Sequence, residues 1–216
     1  MKKDLTELVF ILDRSGSMSG LESDTIGGFN SMLKTQAAEP GRALVSTVLF
    51  NSDSEVIHDR VPLDKVEPMT DRQYRVGGCT ALLDAVGGAI RHIGNVHKYA
   101  REEDRPEKTL FIITTDGMEN ASRNYSYSRV RDMIEHQKEI YGWEFLFLGA
   151  NIDAVETAGS IGIRADRSAN FMPDSAGVEL SFHAVSDAIC AVQRRESVAA
   201  GWSESVENDH RKRRRR

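Results

Sequence analysis

Two short apolar runs, each stopping on an aspartate, constrain this chain more than any other feature. Leu8-Val-Phe-Ile-Leu12 ends at Asp13, and Leu110-Phe-Ile-Ile-Thr-Thr115 ends at Asp116. A continuous apolar run of this length, with no polar residue at alternate positions, predicts a strand buried on both faces. The segments around them keep the same rhythm. Ala43 to Phe50, Glu55 to Val61 and Trp143 to Leu148 read as further strands, the first two paired as a hairpin across Asn51-Ser-Asp-Ser54. Ile26, Phe29 and Leu33 recur at helical spacing, as do Leu83, Val86, Ile90 and Ile93. Val130, Met133 and Ile134 mark another helix, Asp153 to Ser160 a short one, and Val178 to Val192 the last. Strands alternating with helices predict an α/β domain of Rossmann-like, doubly wound type. Its sheet should be mostly parallel with one antiparallel edge strand, and helices should cover both faces.

Composition narrows the class. The chain has 216 residues, 40% hydrophobic and 28% charged, which suits a globular domain with a real core. No apolar run approaches the ~20 residues of a membrane span. Lys2 and Lys3 are followed by Asp4 and Glu7, a poor signal peptide, and two cysteines make no disulfide framework. The expectation is a cytoplasmic protein without a membrane span. The net charge of −5 hides an asymmetry: six of the 28 basic residues fall in Arg211–Arg216, leaving 22 against 33 acidic ones. An acidic body is a poor nucleic-acid surface. The basic run allows a weak contact with nucleic acid or another anion, or is simply a solvated tail.

Chemistry gathers where the apolar runs stop. Asp13, Ser15 and Ser17 place three oxygen side chains at alternate positions of a glycine-containing loop. Asp116 ends the second run, and Thr80 follows Gly77-Gly-Cys79 at the start of the long helix. In a doubly wound sheet, sites lie beyond the carboxyl ends of the strands where strand order reverses. Both aspartates would face one crevice there. Carboxylate and hydroxyl oxygens suit Mg²⁺ or Mn²⁺, and zinc is disfavoured without a nitrogen or thiolate cluster. Taken alone, Asp13-x-Ser15-x-Ser17 equally reads as helix N-capping and Asp116-Gly117 as a turn. Arg14 reads as solvated and Cys79 as a small packing residue. Glu119 and Asn120 stand at the rim of the site, and none of the six scattered histidines is assigned as a ligand.

The five oxygen-bearing residues, in this order, resemble the von Willebrand factor type A domain and its metal-ion-dependent adhesion site, MIDAS. The likeness spans about Thr6 to Glu196. It is strongest to stand-alone bacterial and phage domains, through Leu12-Asp-Arg-Ser-Gly-Ser-Met18, Thr115-Asp-Gly-Met-Glu-Asn-Ala121 and Leu148-Gly-Ala-Asn151. The resemblance implies one type A domain over residues 1–200, with 201–216 as a disordered basic tail. It implies that Ser15, Ser17 and Thr80 bind Mg²⁺ or Mn²⁺ directly, with Asp13 and Asp116 behind them. It further implies a module that binds a partner protein through an exposed Glu or Asp, with no catalysis. The alternatives are a Mg²⁺-dependent hydrolase of phosphatase type and a nucleic-acid-associated protein acting through the tail. A haloacid-dehalogenase-like phosphatase would need an aspartate where Ser15 stands. There is no phosphate-binding Gly-rich loop followed by Lys and Ser or Thr, and no Gly-x-Ser-x-Gly elbow.

Overall fold

Burial on both faces of β1 (Lys2–Asp13) organises the fold. Leu8, Phe10 and Leu12 face one side, Val9 and Ile11 the other, and all five are fully buried. The computed structural model describes residues 2–194 and 196–214. β1 is flanked by two parallel neighbours, β2 (Arg42–Phe50) and β4 (Pro106–Thr115). Beyond β2 lies β3 (Ser54–Pro62), the antiparallel edge strand of the expected hairpin. Beyond β4 come β5 (Glu144–Gly149) and β6 (Ser168–Asn170), both parallel. The strand order is β3-β2-β1-β4-β5-β6, the mixed, mostly parallel sheet the sequence predicts.

Helices cover both faces. α1 (Glu22–Ala38) and α5 (Ser175–Gln193) bury Phe29, Met32, Val185 and Ile189 against the Leu8 side. α2 (Leu82–Tyr99), α3 (Tyr127–Tyr141) and α4 (Ala154–Ser160) bury Val86, Ile90, Ile134 and Ala158 against the Val9 side. Within α2, Gly87 is obligatory in size. A methyl group there would lie 2.4 Å from the Tyr125 ring, so the glycine lets the β4–α3 loop pack directly on the helix.

Two elements depart from the sequence reading. β6 has only three residues and no apolar run, so its strand character comes from pairing with Phe147–Gly149 of β5. The segment 201–216, expected to be a disordered tail, carries a turn and the helix α6 (Glu204–Arg213). Its few apolar residues are all spent: Trp202 and Val206 are buried with the preceding Val198 in the α1–α5 core. The Trp202 indole donates to the Asp166 carbonyl at 3.1 Å, and Glu207 accepts from the Asn170 amide at 3.0 Å. Arg213 pairs with Asp174 and with Asp209. Arg215 and Arg216 of the basic run lie outside the described residues. Among the described residues, no helix is long and apolar enough to cross a membrane.

The topology fixes where chemistry can occur. From β1 the chain winds outward to β2 and β3, then α2 carries it back to β4 on the other side of β1. Strand order therefore reverses between β1 and β4. The carboxyl ends of these two strands, Asp13 and Thr115-Asp116, open a shared crevice.

Candidate metal centre

Three loops meet at that crevice, and backbone hydrogen bonds set their spacing. Gly16 N–H donates to Gly78 C=O and Gly77 N–H to Arg14 C=O, both at 3.0 Å, stitching the loop after β1 to the loop before α2. Gly78 sits at φ +78°, a conformation open to glycine at little cost, and a side chain there would meet Ser52 Oγ at 2.8 Å. Asn120 clamps Thr80 from the third loop: its Oδ1 accepts Thr80 N–H at 2.9 Å, and its own N–H donates to Thr80 C=O at 3.0 Å.

These links bring all five candidate residues together. Ser15 Oγ and Ser17 Oγ lie 3.1 Å apart. A methyl group built on Gly117 would lie 3.1 Å from Thr80 Oγ1, 3.2 Å from Ser17 Oγ and 3.9 Å from Ser15 Oγ. Three hydroxyls thus surround a small space beside a glycine that any side chain would fill. The carboxylates stand behind them. Asp13 Oδ1 accepts Ser15 N–H at 2.7 Å, and Oδ2 accepts the Thr115 hydroxyl at 2.6 Å and Asp116 N–H at 3.3 Å. Asn151, at φ +55° after β5, donates its side-chain amide to Asp116 Oδ1. Asp13, Ser15, Thr80 and Asp116 are buried, and Ser17 is exposed.

The electrostatics are unbalanced. Asp13 and Asp116 are 1% and 2% exposed and make no ion pair among the described residues. Burial pushes the Asp116 carboxyl up to about 6; the Asn151 amide opposes the rise, and the Asp13 charge adds to it. Burial likewise pushes the Tyr74 phenol well up, and its hydroxyl donates to the Asp13 carbonyl. Two close, buried carboxylates with neutral donors around them, facing converging hydroxyls, fit a small hard cation. A nitrogen- or sulfur-based centre does not fit: among the described residues no three His, Cys, Asp or Glu side chains are grouped to hold a metal.

Several roles escaped the sequence. Thr115, Asn120 and Asn151 each orient a candidate ligand. Glu119 does not face the crevice: its carboxylate accepts from Leu83, Ala121 and Ser122 N–H and from the Ser122 hydroxyl, which shapes the loop. Arg14, read as solvated, pairs with Glu55 at 2.7 Å and donates to Gln73 C=O at 2.8 Å. Cys79, read as a packing residue, is exposed. Thr115, Asn120 and Asn151 lie in stretches that carry the family resemblance, but only contacts between loops distant in sequence explain these roles.

The sheet order and helical layers define the von Willebrand factor type A fold. Solved structures with this fold include von Willebrand factor type A from Catenulispora acidiphila. It is 13% identical with a TM-score of 0.56, covering 85% of this chain and 42% of that one. Proximal thread matrix protein 1 from the mussel byssus is similar at 16% identity and a TM-score of 0.56, covering 86% of this chain and 46% of that one. A further structure of the mussel protein, with a zinc-occupied MIDAS motif, is 15% identical with a TM-score of 0.58 over the same shares of the chains. This chain therefore spans less than half the length of those proteins. No protein-family model and no curated protein matches the sequence.

Proposed function

We propose that this protein is a divalent-cation-dependent protein-binding module that captures an acidic side chain of a partner. The convergence of Thr80, Ser17 and Ser15 hydroxyls beside Gly117, in front of two buried carboxylates, carries this reading. Ser15, Ser17 and Thr80 would hold the cation, and Asp13 and Asp116 would stand behind them. A bound dication supplies a Lewis-acidic centre that a partner carboxylate can coordinate. Neutral hydroxyl donors leave most of its charge uncompensated, which favours an anionic ligand. The oxygen-only set favours Mg²⁺ or Mn²⁺. The zinc-occupied MIDAS of the mussel protein supports divalent binding in this fold and makes zinc the metal to test beside them.

The residues do the rest of the work by holding position. Asp13 fixes the Ser15 amide, Asn120 fixes Thr80, and Asn151 holds Asp116. The bonds of Asp13 also weigh against the phosphatase reading. Both of its oxygens are committed to Ser15, Thr115 and Asp116, whereas a nucleophilic carboxylate needs a free oxygen facing substrate.

The test is a pull-down in paired Mg²⁺ and EDTA arms, with Asp13→Ala alongside. The expected outcome is a partner retained only with Mg²⁺ and only by the unmutated chain, with the variant still folded by circular dichroism. Equal retention in all arms would move the binding surface off the metal loops.

A further inference from the structure

A groove of about 860 Å³ lies beside the candidate metal centre, bounded by Asn151 and Met118, and reaches the end of α6. Asn151, whose amide holds Asp116, lines one end, and His210 and Arg214 line the other. Between them the wall is apolar: Met118, Tyr127, Ile152, Phe171 and Met172. Met118 and Tyr127, both exposed, stand together in this wall. His210 and Arg214 also border a second hollow, which Arg211 lines together with Glu207, whose carboxylate is engaged by the Asn170 amide.

The basic run of the sequence is divided in two by this geometry. Arg213 is consumed by Asp174 and Asp209, which fixes the last turn of α6 against the N-terminus of α5. Arg211 and Arg214 make no ion pair among the described residues, and both border the groove or its extension. The groove thus has one end next to the candidate metal centre, through Asn151, and one end with guanidinium groups, with apolar side chains in its wall. On the α4 wall, Asp153 accepts the Glu156 amide as its helix cap, and Glu156 lies beside it. Those two acids oppose a polyanion running the length of the groove, which disfavours nucleic acid as the occupant.

We infer that this groove seats an extended partner segment carrying an acidic residue for the metal, then a bulky apolar side chain, then a second acidic residue for Arg211 and Arg214. The inference rests on the metal-dependent reading above and names the partner's chemistry. Charge complementarity at both ends selects the segment, and the apolar floor supplies the central anchor.

A phage-displayed random dodecapeptide library, panned on the full chain with Mg²⁺ and with EDTA, tests it. An enriched peptide is then labelled with fluorescein and titrated by anisotropy, beside a Gly/Ser peptide carrying a single Glu. The expected result is Mg²⁺-dependent enrichment of an acidic–apolar–acidic pattern. Charge reversal by Arg211→Glu with Arg214→Glu should weaken the enriched peptide about tenfold and leave the single-Glu peptide unchanged. Mg²⁺-dependent peptides lacking that pattern, or indifferent to the charge reversal, would overturn the inference and leave the metal reading standing. No Mg²⁺-dependent enrichment at all would overturn the metal reading and this inference with it. A DNA oligonucleotide bound equally in EDTA, released by the charge reversal and not displaced by the peptide, would reassign the basic end to nucleic acid and overturn the inference.

Discussion

β1 carries two buried carboxylates, and the fold treats them in opposite ways. Glu7, in the body of the strand, is fully buried and closed internally. Arg60 reaches it at 3.0 Å and His97 at 3.1 Å. A register shift in β3 and the left-handed backbone of Arg60, φ +52°, aim that guanidinium across the sheet. Asp13, at the end of the same strand, receives only neutral donors and shares its crevice with Asp116. Burying a carboxylate without a counter-charge is costly, so a fold keeps one only where something offsets it. In the frame the offset comes from the chain. At the strand ends no cationic side chain among the described residues supplies it.

The contrast can be broken from either side. Arg60→Ala leaves Glu7 buried and without its guanidinium, and should cost about 3 kcal/mol. Urea denaturation should show the same loss in Mg²⁺ and EDTA; a loss confined to one of them would tie Glu7 to the metal centre. On the other side, Mg²⁺ at a hundred times its dissociation constant should stabilise the unmutated protein by about 2.7 kcal/mol. Asp116→Asn should forfeit that gain, yet melt no lower than the unmutated protein in EDTA, because it removes one of two close like charges. A full Mg²⁺-dependent rise in the variant's melting temperature would exclude Asp116 from the site.

Smaller changes sharpen the same line. Asn120→Ala removes the side-chain half of the Thr80 clamp without removing any oxygen ligand, and should weaken Mn²⁺ affinity about tenfold with little change in melting temperature. Calorimetric titration with Mn²⁺ separates this from Asn120 acting only in loop stability, which would lower the melt and spare affinity. The smallest effect belongs to the frame. His58 is buried between the Thr47 hydroxyl and the Glu67 carbonyl, each at 3.0 Å. Burial lowers its pKa below 6.5, and the Glu67 contacts oppose this more weakly. The folded state therefore favours neutral imidazole. Its stabilisation is complete above pH 6.5 and is lost as the pH falls below that value. His58→Gln should flatten the acid limb of the stability profile in EDTA and in Mg²⁺ alike.

The sequence alone determined the strands that are buried twice over. Leu8–Leu12 and Leu110–Thr115 are continuous apolar runs that need cover on both faces, and the alternation of strands with helices makes them central strands of an α/β sheet. The sequence also placed hydroxyl and carboxylate residues at the strand ends, where local pattern alone reads equally as helix capping and a turn. Tertiary structure decided what depends on distant surfaces. β6 exists because β5 offers an unpaired edge, and α6 because Trp202 and Val206 find a core already formed by α1 and α5. Arg14 is tied down because β3 places Glu55 beside it. Asn120 and Asn151 became positioning groups only when three loops met across the sheet. Local pattern records what a residue can bury or donate. Which partner receives it is set by contacts between residues far apart in sequence, and those exist only once the sheet has ordered its strands.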